Sequence, residues 1–203
     1  LFHSIRGQQV ANNAAKFHLG NVRLTFPALF DAKQVNGQGD PKFSASFLIP
    51  RDHPQLAEIK AAISEAATAK WGAKAADMLK QLQAADKLCL HDGDAKSDYD
   101  GYAGHFFINA SNKVKPIVLD EQRNDLKPAD GKPYSGCYVN AIINFWAQDN
   151  QFGKRVNASL LGVQFRADGE RLAGGAVRRA VMISSRFPAA WVRVSSFLPM
   201  GTC

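Results

Sequence analysis

Between Gly136 and Phe165 the chain reads GCYVNAIINFWAQDNQFGKRVNASLLGVQF, two alternating runs joined by a polar turn. Successive side chains of a strand point to opposite faces, so period 2 sorts each run into two sets. In the first run Val139, Ala141, Ile143 and Phe145 share one face. Tyr138, Asn140, Asn144 and Trp146 share the other, interrupted by Ile142. In the second run Val156, Ala158 and Leu160 are the apolar face, and Arg155, Asn157 and Ser159 the polar one. Soluble sheets usually turn charged residues and threonine to water. Aromatics, amides and an arginine in their place suit stacking on bases and hydrogen bonding to bases or phosphates. Leu160, Leu161 and Gly162 break the alternation where a bulge is expected.

Shorter runs repeat the pattern. NVRLTF, Asn21 to Phe26, reads as a strand stopped by Pro27. KFSASFLI, Lys42 to Ile49, turns Phe43, Ala45, Phe47 and Ile49 inward. HFFINAS, His105 to Ser111, puts Phe106, Ile108 and Ala110 on one side and His105, Phe107 and Asn109 on the other. KPIVL, Lys115 to Leu119, is a short edge strand because Pro116 cannot donate to a ladder. After the second strand, Leu56, Ile59, Ile63 and Ala67 recur at helical spacing. Asp52 or His53 is the expected cap, with Pro54 in the first turn. Gly72 interrupts this block, and a second short helix follows over Ala75 to Leu82.

About six short strands with helices inserted after the second predict a mainly β, α+β protein, a small antiparallel barrel of oligonucleotide-binding (OB) type. The expected organisation is an arm at 1–20, a body at 21–170 with a helical insertion at about 54–85, and a poorly ordered basic tail at 171–203. No apolar run is long enough to span a bilayer, and the first twenty residues lack a signal peptide's apolar core. A cytoplasmic protein with no membrane contact is expected. Cys89, Cys137 and Cys203 are far apart in sequence, match no zinc spacing and are expected as reduced thiols. The net charge is +7, and five of those charges are arginines after Glu170, where no acid follows. That imbalance suggests a polyanionic partner.

Four segments taken in order, NVRLTFPALFDAK, DPKFSASFLIPRDHP, LHDGDAKSDYDGYAGHFFINASNKVKP and the opening hairpin, resemble tailed-phage single-stranded DNA-binding proteins. The resemblance spans roughly residues 20 to 175. It implies an OB fold that binds single-stranded DNA with little sequence preference in phage replication, recombination or repair, without catalysis or cofactor. The expected setting is the bacterial host cytoplasm, with phage replication or recombination proteins as candidate further partners and a homodimer as one candidate assembly. Proteins of this functional type usually end in an acidic tail that recruits partners. This chain ends in the reverse, GGAVRRAVMISSRFPAAWVRVSSFLPMGTC, so recruitment through an acidic tail is not carried over. The abrupt loss of acids suggests a shifted reading frame, which intact mass set beside the gene's nucleotide sequence tests.

Single-strand binders need cations along the phosphates and flat side chains against the bases. The expected stacking residues are Trp146, Tyr138, Phe107, Tyr102 and Tyr134. Lys42, Lys113, Lys115, Lys132, Lys154 and Arg155 are the expected phosphate partners, and Asn140, Asn144 and Asn157 the expected amide contacts. Two other readings compete. Asp92, Asp94, Asp98 and Asp100 with His91 could hold magnesium in a nuclease. Their order departs from an EF-hand at Ala95 and Lys96, and aspartates among glycines are most often turn formers, so no metal is expected. Alternatively, a phage structural protein would grip DNA of either form through the basic tail.

Overall fold

The computed structural model describes residues 16–35 and 38–172. Seven strands and two helices follow in order: β1 Lys16–Val35, β2 Gln38–Pro50, α1 Leu56–Trp71, α2 Ala75–Ala84, β3 Leu90–Asp92, β4 His105–Asn112, β5 Ile117–Leu119, β6 Tyr138–Asn150 and β7 Gly153–Ala167. The sheet order is β3-β4-β2-β1-β6-β7-β5, and a parallel β4–β7 pairing at Ala110 and Ala158 closes it. Strands β1, β2, β4, β6 and β7 therefore form a closed five-stranded barrel, the OB arrangement expected from the alternation. β5 lies at the edge, where Pro116 placed it, and runs parallel to β7.

The apolar parity of each strand fills the barrel. Val139, Ala141, Ile143 and Phe145 of β6 meet Val156, Ala158 and Leu160 of β7, with Ala45, Phe47 and Ile49 from β2. The β6–β7 register slips between Ile142–Gly162 and Ile143–Leu160, leaving Leu161 as the extra residue of the expected bulge. Ile59, Ile63 and Ala67 bury one stripe of α1 against the barrel. Its N-cap is Gln55, one residue after Pro54, and makes no side-chain capping bond, unlike the expected Asp52 or His53 cap. None of the helices among the described residues is long and apolar enough to cross a membrane.

β1 corrects two expectations. It does not stop at Pro27, because the β1–β2 register shifts between Thr25 and Ala28, and a bulge tolerates a residue without an N–H. It also begins at Lys16, pairing Lys16 to Leu19 with Asn144 to Ala141 of β6, so the first strand takes in part of the expected arm. The rest of the arm, residues 1–15, and most of the basic tail lie outside the described residues. Arg171 and Leu172 are described, and both pack on the body: Leu172 is buried, and the Arg171 guanidinium lies 4.1 Å from the Tyr134 ring centroid.

A second, smaller apolar cluster sits outside the barrel. Leu48 of β2 and Phe107 of β4 are cross-strand partners that point outward. The loop between β3 and β4 folds back over them with Tyr102, and Leu172 completes the cover. Gly93 permits this fold-back, since a Cβ there would lie 2.2 Å from the Tyr102 carbonyl oxygen. Phe107 is 1% exposed and Tyr102 3% exposed. The Tyr102 hydroxyl lies 3.0 Å from Thr25 Oγ1, and burial raises its pKa above the ordinary value. Both residues are thus packing residues, and the expectation that they stack on bases is corrected here.

Candidate nucleic-acid interface

Outward parity and strand order bring a set of polar and aromatic side chains together on the barrel's outer face. A groove of about 490 Å³ runs across β4, β7 and β6, with Lys42 of β2 at one margin and the segment before β3 as its other wall. Asn109, Ser111 and Asn112 come from β4, Trp146 and Gln148 from β6, and Arg155, Asn157 and Ser159 from β7. Lys113, Lys87 and His91 complete the rim. The groove thus collects three lysines and an arginine against one carboxylate, Asp86, which is 2.6 Å from His91 Nδ1.

Hydrogen bonds hold its floor. Trp146 Nε1 donates to Ser159 Oγ at 2.9 Å, fixing the half-buried indole across the β6–β7 ladder. Asn157 Nδ2 donates to Gln148 Oε1 at 3.2 Å, and Ser46 Oγ to Asn109 Oδ1 at 2.6 Å. Arg155 is exposed and makes no ion pair among the described residues. Lys113 is paired with Asp40, whose carboxyl is held below its usual range first by the Lys113 hydrogen bond and then by that lysine's charge. Side-chain pairs this exposed contribute little to stability, so Lys113 can exchange its partner for a phosphate.

Five of the expected residues meet in this groove: Lys42, Lys113, Trp146, Arg155 and Asn157. Lys154 stands beyond it, 3.7 Å from Asp149 at the β6–β7 turn. Asn144 is half-buried beside Trp146, with its Oδ1 shielded from water and unpartnered. Asn140 is engaged at a β1 bulge, where its Oδ1 accepts from Asn21 N at 3.0 Å. Lys115 lies 5.9 Å from the Phe30 ring centroid, and Lys115 is not part of the groove lining.

Tyr138, Tyr134 and Lys132 form a separate cluster. Tyr138 is eight residues before Trp146 on β6, about 26 Å along an extended strand. It is 37% exposed. The Tyr134 hydroxyl lies 2.8 Å from Asp168 Oδ1, and Lys132 Nζ lies 3.0 Å from Asp168 Oδ2. These two partners, Tyr134 foremost, hold Asp168 below its ordinary pKa. Sequence reasoning overlooked Lys87, His91, Asn112 and Gln148. Gln148 continues the parity of Trp146 and was available from alternation, whereas Lys87 reaches the groove through the segment before β3, and His91 through the pairing of β3 with β4.

The acidic loop is occupied with structure. Arg51 reaches Asp92 Oδ1 at 2.7 Å and Asp94 Oδ2 at 2.6 Å. Asp94 also accepts from Gly104 N at 2.7 Å, the main cause of its lowered pKa. Among the described residues no three His, Cys, Asp or Glu side chains gather as a metal-holding group. Asp92 and Asp94 thus serve as turn formers and partners of Arg51.

A family model described as Enterobacter phage Enc34, ssDNA-binding protein, matches residues 15–184. Protein p50 of the Acyrthosiphon pisum secondary endosymbiont phage 1 is 48% identical over 165 residues, covering 80% of this chain and 89% of that one. The single-stranded DNA-binding protein from bacteriophage Enc34, solved in complex with ssDNA, superposes with a TM-score of 0.65 and 29% identity over 77% of this chain and 88% of its own. The bacteriophage T7 single-stranded DNA-binding protein gp2.5 superposes with a TM-score of 0.53 at 12% identity, over 81% of this chain and 96% of its own. That last likeness is one of fold.

Proposed function

The chain belongs to the family of the Enterobacter phage Enc34 ssDNA-binding protein, and from that membership we propose that it binds single-stranded DNA, with little sequence preference, in phage replication, recombination or repair. It is a binding protein, not an enzyme. The observation that carries the reading is the groove in which Trp146, Arg155 and Asn157 meet Lys42 and Lys113. Lysine and arginine neutralise phosphates there, releasing counterions, while the indole offers a surface that any base can stack on. The amides and hydroxyls on the floor accept or donate to whichever base edge or phosphate lies over them.

Of the other expected contacts, Tyr138 is kept as a contact at the far end of β6, with Tyr134 and Lys132 ordering the backbone beside it. Partnership with phage replication or recombination proteins in the host cytoplasm, and self-association into a homodimer, belong to the same reading. Sedimentation of the full chain checks the dimer.

Titration of labelled single-stranded and duplex oligonucleotides with the full chain, with and without magnesium, tests the function. The expected result is tighter binding of the single strand, weakening by roughly 0.7 log units per log unit of salt for each phosphate neutralised, with the oligonucleotide intact. Equal affinity for duplex would favour the basic tail as the DNA-holding element. Shortening of the oligonucleotide in magnesium would restore the nuclease reading.

A further inference from the structure

Two breaks in the alternation have no role in the single-strand groove. Ile142 interrupts the polar parity of β6, and the bulge at Leu161 interrupts β7. The fold brings them together. His18 of β1, Ile142 of β6, Gly162 of β7 and Ile117 of β5 are cross-strand neighbours in one row. Gly162 carries no side chain, so the row holds a gap between two isoleucines. A trough of about 600 Å³ opens there, and Leu161 also lines it. Bulges commonly re-aim a side chain, and Leu161 is the residue this one adds. Ile117 is 62% exposed, and Ile142 and Leu161 are half-buried.

The rim of the trough is basic. Lys16 and Arg123 line it, and His18 adds an imidazole. No Asp, Glu, Phe, Tyr or Trp is among the described residues that line it. Neither Lys16 nor Arg123 makes an ion pair among the described residues. Asp120, in the same turn as Arg123, has its carboxylate bonded to Asn124, by N at 2.7 Å and by Nδ2 at 2.9 Å. The trough shares no lining residue with the groove that holds Trp146 and Arg155. Its aliphatic floor offers a base no flat ring to stack on. Apolar side chains between unpaired cations instead match a segment that carries both aliphatic residues and carboxylates. The chain's own ends do not supply one, because residues 1–15 and 173–203 contain no Asp or Glu. A second copy docked trough to trough would set cations against cations, since a two-fold contact joins identical patches.

We propose that this trough docks a short acidic, aliphatic segment of another protein. The apolar side chains of that segment lie between Ile117, Ile142 and Leu161, and its carboxylates pair with Lys16 and Arg123. Recruitment then runs opposite to recruitment by an acidic tail: this chain receives the acidic segment and does not supply it. The docking face is separate from the single-strand groove, so DNA and the partner are held at the same time.

The test uses the full chain as wild type, as Ile117→Ser and as the double variant Lys16→Glu with Arg123→Glu. The probes are the labelled peptide EELIDELV, its neutral counterpart QQLINQLV, and a labelled oligothymidylate. Thermal melting checks that all three proteins are folded, as expected for exposed positions. The wild type is expected to bind the acidic peptide more tightly than the neutral one. The double variant should weaken the acidic peptide roughly 10-fold or more, by losing two pairs and adding repulsion. Ile117→Ser should weaken it roughly 5-fold, by removing an apolar anchor. Ile117→Ser is expected to keep the wild-type affinity for oligothymidylate, and saturating peptide to leave the oligonucleotide bound. Wild-type protein indifferent to the acidic peptide, or equal binding by the double variant, overturns the proposal. So does displacement of the peptide by oligothymidylate, which would make the trough part of the DNA path. Sedimentation of the same proteins adds one more outcome: a wild-type dimer that Ile117→Ser dissociates would give the trough to a second copy and overturn the proposal. The single-strand reading is decided separately, by the wild type's affinity for oligothymidylate.

Discussion

The indole of Trp146 is bonded to Ser159 across a diagonal of the β6–β7 ladder, Nε1 to Oγ at 2.9 Å, while Asn157 is its direct cross-strand partner. The bond fixes the plane of the ring before any base arrives, so less side-chain entropy is lost on stacking. Trp146→Ala is expected to cost about 1–3 kcal/mol of single-strand affinity. Ser159→Ala should cost less, about 0.5–1.5 kcal/mol, since it frees the ring without removing it. Oligonucleotide titration followed by anisotropy ranks the two.

Arg155 and Lys113 differ in what they give up to meet a phosphate. Arg155→Ala should weaken binding and flatten the plot of log affinity against log salt by roughly 0.7 for each phosphate left without its cation. Lys113 must first part from Asp40. Asp40→Asn should therefore strengthen binding at low salt, and the gain should fade as salt screens the pair. A salt series on the two variants reads both effects.

Phe107 separates packing from stacking. Its ring is covered by His91, stacked at 4.9 Å between centroids, and by Tyr102 at 5.0 Å. Phe107→Ala is expected to lower stability by about 3–5 kcal/mol, read as an earlier thermal or urea transition. The fraction that remains folded should bind single strands as wild type does.

The thiols of Cys89 and Cys137 are buried, and burial pushes their pKa values from 9.0 to about 12 and about 11. Both should resist alkylation at pH 8 in the folded protein and react once it is unfolded, as peptide mass spectrometry would show. The folded chain keeps two protons that the unfolded chain releases above its ordinary thiol pKa. Their contribution to stability is therefore complete below pH 9 and is lost as the pH climbs to about 11 and 12. Urea midpoints should fall across that window in the wild type, and less steeply in Cys89→Ala.

Alternation made the β6–β7 hairpin legible, because one buried face imposes a period of 2 along both of its strands. The bulge at Leu161 was legible for the same reason, as a break in that period. The passage of β1 through Pro27 was not, since a bulge removes the clash that makes proline a stop. Parity assigns a face but not a height on it. Tyr138 and Trp146 share a face and stand about 26 Å apart, so one expected site became two clusters. Phe107 has the outward parity of a contact residue, and His91 of β3 together with the fold-back of a loop containing Tyr102 buries it. Lys87 enters the groove through the segment before β3 and His91 through the β3–β4 pairing, long-range placements that no local pattern records.

Whether the groove between β4, β7 and β6 holds the single strand is decided by photocrosslinking oligothymidylate to the full chain, followed by mass spectrometry of the joined peptides. Crosslinks are expected on the peptides that carry Trp146, Arg155 and Asn157, and are expected to vanish in Trp146→Ala. Crosslinks confined to residues 173–203, with the groove peptides unmarked, would contradict this assignment.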